Sequence, residues 1–139
     1  MDWKYVFTGI DGRISRQPFW IAFIIVIGIE IVADYVVGER WSSIVSLLLA
    51  YPTFAIIAKR GHDRNAPTWI AGVFTTGVVI LDVLNLLDLL GPLDEPNIVL
   101  YVIGIPLLVM GLILLIDFGF RRGTVGPNRY GADPLEVAR

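Results

Sequence analysis

The chain alternates between long apolar stretches and short polar clusters. The apolar runs are Phe19 to Val37, Trp41 to Ala58, Trp69 to Leu90 and Ile98 to Ile116. At about 1.5 Å of rise per residue each covers roughly 27 to 33 Å as a helix, against a bilayer hydrocarbon core of about 30 Å. Ile and Val are abundant in these runs. A lipid-exposed strand, however, leaves backbone groups unpaired unless a barrel closes, and four runs cannot close one. The pattern predicts an all-α membrane protein with four transmembrane helices arranged as two hairpins, in one domain over residues 1–139. Pro52 and Pro106 fall inside the second and fourth runs, where kinks rather than breaks are expected.

Composition points the same way. The chain has 139 residues, 55% of them hydrophobic and 17% charged, with no cysteine, and a mean hydropathy of +0.70. So short a soluble chain has too little interior to hide this much Ile, Val and Leu. The missing cysteines exclude a disulfide framework, a thiolate nucleophile and a sulfur-ligated metal. No cleavable leader is expected, because no small-x-small site ends the first apolar run.

The net charge of −2 says little, but the placement of Lys and Arg says much. Lys4, Arg13 and Arg16 precede the first run. Lys59, Arg60 and Arg64 lie between the second and third, and Arg121, Arg122, Arg129 and Arg139 follow the fourth. Only Arg40 lies on the other side. This asymmetry predicts a cytoplasmic N terminus, middle loop and C terminus. The outer loops are then Gly38 to Arg40 and Gly91 to Asn97, and Trp20, Trp41 and Trp69 mark span ends at headgroup depth. The two halves echo each other faintly: Trp-Ile-Ala at 20–22 and 69–71, then Lys/Arg-Arg-Gly at 59–61 and 121–123.

Three polar clusters share the basic side: Phe7 to Trp20, Lys59 to Arg64, and Gly126 to Pro134. Their motifs are Gly-Arg-x-x-Arg-x-x-Phe-Trp, Lys-Arg-Gly-His-Asp-Arg and Asn-Arg-Tyr-Gly-x-Asp-Pro. In this order they resemble the bacterial domain-of-unknown-function family 805, typified by the YhaH-like inner-membrane proteins. Two positions depart from that family's usual pattern: Gly61, where a larger residue usually precedes His-Asp, and Thr68, where Gly often precedes a Trp pair. The resemblance implies a four-helix membrane domain and no known activity.

The cluster Arg13, Arg16, Arg60, His62, Asp63, Asn128, Arg129 and Asp133 is the first candidate site. The preferred reading is a structural network in which Asp63 and Asp133 pair with Arg13, Arg16, Arg60 or Arg129 and tie the helix ends together. An anion site holding a lipid phosphate ranks second. Proton chemistry at His62 and Asp63 ranks third, since adjacent residues of a helix point in different directions. In the tail, Asn128 and Gly131 suit positive φ. The Gly-x-x-Gly of 123–126 lacks the Lys-Ser/Thr of a phosphate loop.

The second candidate is an intramembrane acidic cluster: Glu30 and Asp34 in the first run, Asp82 and Asp88 in the third. Glu30 and Asp34 share a helix face, and Asp82, Asn85 and Asp88 form a stripe. Glu30 and Asp82 fall at similar depth, roughly 17 to 20 Å from the inner ends. Ser43, Ser46, Tyr51 and Tyr101 offer hydroxyl partners. One reading is an outward-opening cavity for a proton or cation; another is neutral hydrogen-bonded glue between helices. No carboxylate spacing resembles a metal loop, so no cofactor is expected. The expected partners are membrane lipids and a homo-oligomer or larger membrane complex, with no nucleic acid. The favoured function is a non-enzymatic accessory, scaffolding or regulatory component. A small proton or cation transporter or channel subunit is the alternative.

Overall fold

The computed structural model describes residues 2–91, 94–95 and 97–137. Pro92, Leu93 and Pro96 of the expected outer loop, and Arg139, lie outside the described residues. Helix α1 is Trp3–Phe7, α2 Arg16–Val37, α3 Glu39–Asp63, α4 Trp69–Leu86 and α5 Ile98–Leu114. Helix α5 continues as a π-helix over Leu115–Phe120, and a short α6, Pro134–Val137, ends the tail. Four of these helices are long and apolar enough to cross a membrane, with α5 and the π-helix counted together.

Local chemistry sets the boundaries. Ser15 precedes α2, and Pro18 sits in its first turn, where a missing N–H costs nothing. Gly38 alone separates α2 from α3, at φ 82°, a left-handed conformation that strains any residue with a Cβ. Helix α3 runs through Pro52 and stops where Asn65 takes φ 59°. The Asn97 side chain accepts the Val99 N–H at 3.2 Å and caps α5. Helix α5 likewise runs through Pro106.

The helices differ from the expected runs at their ends. Helix α3 extends five residues past Ala58, so Lys59, Arg60, His62 and Asp63 belong to a helix end instead of a loop. Favourable helical hydrogen bonding continues because those polar side chains all find partners, as described below. Helix α4 ends at Leu86, which removes Asp88 from the third span. Asp88 takes φ 61° beyond the helix end. Arg40 caps the free Leu86 carbonyl there, with Nη2 at 2.9 Å, and pairs with Asp88 at 3.5 Å.

Helix α3 is central. It packs against α1, α2, α4 and the π-helix, while α5 rests on α4 and the π-helix on α2. Small residues allow the close approaches: Ala22, Ala55 and Ala71 are buried, and a Cβ on Gly77 would strike Leu107. The inside is unusual for its chemistry, because the largest fully buried side chains are Arg60, Lys59 and Val6. Outside lie Ile24, Ile31, Tyr35, Leu48, Val102 and Leu108, and α5 has no buried residue at all. Water would not tolerate so large an apolar exterior; a bilayer would.

Candidate functional site

The three polar clusters meet at one end of the helices. The last turn of α3 supplies the centre, since Ala55, Lys59, His62 and Asp63 recur at helical spacing on one face and all are buried. The segment after α1 brings Arg13 across this face, and the chain after the π-helix closes over it.

Arg13 uses every donor it has. Its Nε and Nη2 donate to Asp63 Oδ1 at 3.1 and 2.9 Å. Nη2 also reaches the Thr124 carbonyl at 2.6 Å, and Nη1 the carbonyls of Gly126 and Gly131 at 2.8 and 3.2 Å. A guanidinium carries five N–H bonds, and all are spent. The second Asp63 oxygen accepts from Arg60 Nη1. Asp63 is thus a buried carboxylate between two guanidiniums, and its own carbonyl accepts the Thr124 N–H at 2.8 Å.

Arg60 completes a second set of bonds. Five consecutive carbonyls at the end of the fourth span, residues 118 to 122, each accept from a side chain of another helix or its flank. Arg60 Nε donates to Phe118 O at 2.5 Å and Nη2 to Arg121 O at 2.7 Å. Trp20 Nε1 donates to Gly119 O at 3.0 Å, Arg16 Nη1 to Phe120 O at 3.2 Å and Arg64 Nη1 to Arg122 O at 2.6 Å. Carbonyls that end a helix have no partner within it, and the wider π turn presents these to the neighbours.

His62 is closed on both ring nitrogens. Nδ1 lies 3.0 Å from the Gly12 carbonyl and Nε2 2.7 Å from the Thr68 hydroxyl. A carbonyl only accepts, so Nδ1 carries the proton, and in the neutral ring Nε2 accepts from Thr68. The ring also stacks on Tyr130, 3.8 Å between centroids and 6° from parallel. Gly61, the other departure from the expected motif, lets Phe118 approach: a Cβ there would sit 3.2 Å from the ring.

The other expected members divide. Asn128 donates to His62 O at 2.9 Å and Thr124 Oγ1 at 2.7 Å, while its own oxygen accepts the Tyr130 N–H. It is not at positive φ; Gly126 and Gly131 take that conformation, which a residue without a Cβ adopts at least cost. Arg129 lies at the rim, donating to Asn65 O at 3.0 Å and stacking over Tyr130. Asp133 makes no ion pair among the described residues, a correction to the expected pairing. Its oxygens accept the N–H groups of Leu135 at 2.9 Å and Gly126 at 3.1 Å. The Leu135 N–H holds its carboxyl below the usual carboxylate range, and Gly126, Arg13 and Arg122 add to that.

Three participants were not singled out from the sequence. Lys59, with no exposed surface, donates to the carbonyls of Tyr5 and of Thr8, the latter at 3.1 Å, and lies over the Tyr5 ring. Tyr5 in turn exchanges hydrogen bonds with the Arg13 backbone through its hydroxyl, at 3.1 and 3.2 Å, and burial raises its phenol above the ordinary value. Asp117 pairs with Arg64 at 3.2 Å and Arg121 at 3.1 Å. The helical spacing of Lys59 with His62 and Asp63 was the available signal; no local pattern marks Tyr5.

At the opposite end, Glu30 and Asp82 do share a cavity of about 340 Å³ with Asp34, Glu39, Ser43 and Ser46. Asp34 accepts from Ser42 Oγ at 3.4 Å, and Asn85 donates to Ser43 Oγ at 3.0 Å. Asp82 Oδ2 is buried without a partner. Neither Tyr51 nor Tyr101 lines this space; the Tyr51 hydroxyl accepts the Gly9 N–H at 3.1 Å at the basic end. Asp88 is absent from it for the reason already given. No group of three metal-ligating side chains occurs among the described residues.

A family model described as "Protein of unknown function (DUF805)" matches residues 7–132. The chain belongs to that family. Its DUF805 stretch includes Arg13, Asp63 and Asn128 and stops one residue short of Asp133. The chain is also similar to the "Uncharacterized protein YiiR" of Escherichia coli K12, at 27% identity over 143 aligned positions, covering 97% of this chain and 90% of the relative. The protein of the same name in E. coli O157:H7 matches equally. No solved structure matches this DUF805 chain.

Proposed function

We propose that the protein is a non-enzymatic accessory, scaffolding or regulatory component of a bacterial inner membrane. It spans the membrane as two hairpins with both termini cytoplasmic. The observation that carries this reading is how the polar groups are used. Arg13, Asp63 and His62, the groups best suited to chemistry, have their donors and acceptors committed to joining the chain's two ends to α3. A group so occupied serves as a fastener and is poorly placed as an acid, base or nucleophile. The result is a rigid basic plate carrying a wide apolar wall.

The absence of cysteine makes the topology testable. Single cysteines at Leu87 and Val125, both exposed and at opposite ends, are labelled in intact cells with a membrane-impermeant maleimide. Labelling at residue 87 and protection at 125 is the expected pattern, and the reverse pattern refutes the orientation. Native mass spectrometry of the protein extracted in mild detergent then tests the accessory role. A stoichiometric partner supports it. A bare protein that turns over a membrane substrate rejects it.

One observation favours a second reading. A buried carboxylate oxygen without a partner, as at Asp82, is expensive inside a membrane and suits a proton or cation path shared with Glu30. Flux in proteoliposomes that Glu30→Gln abolishes would support a transporter subunit. No flux before or after the change removes that reading.

A further inference from the structure

The basic end holds more positive charge than its own carboxylates pair. A cavity of about 200 Å³ is lined by Ser15, Arg16, Gln17, Arg60, Asp63 and Arg122, among others. Both oxygens of Asp63 are already taken by Arg13 and Arg60. Arg16 and Arg122 are exposed, and neither has a carboxylate within ion-pair distance among the described residues. Arg16 makes one bond, to the Phe120 carbonyl. Asp133 is near enough to feel Arg122, but its oxygens serve backbone N–H groups. Three guanidiniums from three parts of the chain therefore converge on one space with a single, already satisfied, acid.

An apolar cleft begins about one helical turn along α2 from Arg16, at Phe19. It has a volume of about 390 Å³ and is lined by Phe19, Phe23 and Ile27 of α2, Val78 of α4, and Leu108 and Leu112 of α5. Helices α2 and α5 do not pack on each other; the π-helix that continues α5 meets α2 at the basic end, and otherwise the two are linked through α3 and α4. The cleft thus opens between them on the side that faces lipid in a membrane. Arg16, Phe19, Phe23 and Ile27 follow one another along a single stripe of α2, with Arg16 about 4.5 Å below Phe19 along the axis. Phe118 lines the cleft, and Arg122 follows it by four residues.

We propose that this pair of surfaces binds an anionic phospholipid of the cytoplasmic leaflet. Its phosphate enters the space between Arg16 and Arg122, and one acyl chain lies in the cleft between α2 and α5. The charge argues for the phosphate, since planar guanidinium forks match phosphate oxygens. The first N–H groups of α2, which the Ser15 side chain does not cap, add favourable polarity. The cleft argues for the chain, because a soluble phosphate would leave it unused. The inference rests on the membrane orientation proposed above.

The test is native mass spectrometry of the full chain in mild detergent, titrated with phosphatidylglycerol or with phosphatidylethanolamine. Wild type is expected to retain one phosphatidylglycerol with about tenfold preference over phosphatidylethanolamine. Arg16→Gln with Arg122→Gln removes the preference. Leu108→Trp, at a site 64% exposed and so tolerant of a larger side chain, lowers retention by filling the cleft. Arg40→Gln, at the far end, changes neither. Equal retention of both lipids, or an unchanged preference in the double variant, overturns the proposal. So does displacement by glycerol 3-phosphate with no effect of Leu108→Trp, which would assign the arginines to a soluble phosphate. Arg122→Gln alone, which removes no bond seen here, stands in if the double variant unfolds. Cysteine labelling separates the two failures: specific lipid retention with reversed labelling would sink the orientation and leave the lipid site standing.

Discussion

Arg13 Nη2 lies 2.9 Å from Asp63 Oδ1, in a pair whose side chains are 1% and 4% exposed. Fifty residues separate them in the chain, so the contact fastens the N-terminal segment to the end of α3. Burying two charges is costly, and their attraction offsets the cost only while both are present and fully hydrogen-bonded. Asp63→Ala leaves Arg13 and Arg60 facing one another without an anion. It is expected to lower stability by about 3 to 5 kcal/mol, read as a large fall in Tm in detergent. Asp117→Ala, at a pair 28% exposed on the acid's side, should cost no more than about 1 kcal/mol. Similar losses for the two would show that the buried triad is not what holds this end together.

Gly123 gives an independent check through shape. A Cβ there would overlap the Asp63 carboxylate, and one on Gly12 would overlap the Tyr5 hydroxyl. Gly12 also stands at φ 86°. Gly123→Ala and Gly12→Ala should each destabilise by about 1 to 3 kcal/mol, while Gly28→Ala, with open space around its Cβ position, should be neutral or slightly stabilising. Unfolding in detergent ranks the three, and tolerance of alanine at residue 123 would contradict the close approach.

These tight contacts mark the boundary of what could be read from the sequence. The four spans were legible because lipid demands long apolar helices and punishes anything else. The pairing of Asp63 with Arg13 and Arg60 was legible from the charges gathered on one side, whereas the bonds that Asn128 makes across the tail were not. These contacts depend on a π-helix and on α3 continuing past Ala58, and polar residues in sequence look like a loop until partners are supplied. Lys59 shows the difficulty. In the sequence it counted only as a cation of the basic side, yet α1 and the Thr8 that follows it offer two carbonyls and an aromatic face, and the lysine is buried. At the other end, Leu87, Leu89 and Leu90 extended the third run beyond the actual helix, since hydrophobicity alone does not register the turn at Asp88.

His62 is the chain's one histidine, which makes its protonation directly observable. The Gly12 carbonyl fixes the proton on Nδ1 and the Thr68 hydroxyl faces Nε2. Nitrogen-15 spectra of histidine-labelled protein should show the Nδ1–H tautomer at neutral pH. Thr68→Val should leave Nε2 buried without a donor and lower stability by about 1 to 3 kcal/mol. Observation of the Nε2–H tautomer would refute the assignment and reopen His62 to proton transfer.

Asp133 predicts how acid acts on the tail. Its folded pKa lies below the usual carboxylate value, chiefly through the Leu135 N–H. A depressed carboxylate favours the folded form above its unfolded pKa, and the contribution disappears as pH falls through the lower, folded value. Docking of the tail should therefore hold at neutral pH and weaken below the ordinary carboxylate range. A cysteine at Val125, followed by its labelling rate in detergent, should show faster reaction on acidification, and Asp133→Asn should remove that contribution to the pH dependence. An identical acid response in Asp133→Asn would place the titrating group elsewhere.

Asp82 should respond with the opposite sign from the basic end. Its Oδ2 is buried with no partner, in the same cavity as Glu30 and with neither Lys nor Arg lining it. A carboxylate in such a place costs on the order of 3 kcal/mol when charged, and still forfeits a hydrogen bond when neutral. Replacing it by leucine removes that cost and fills the space with apolar volume, so Asp82→Leu is expected to raise stability by about 1 to 3 kcal/mol. Asp82→Asn should gain less, since an amide still needs partners. If both variants melt earlier than wild type, the acid is satisfied in the membrane by something the isolated chain does not supply. A bound cation or the cationic side chain of a partner would each do this. Glu30→Gln then discriminates between them: it should abolish a cation-dependent rise in Tm if an ion is held, and release a co-purifying subunit if a partner is.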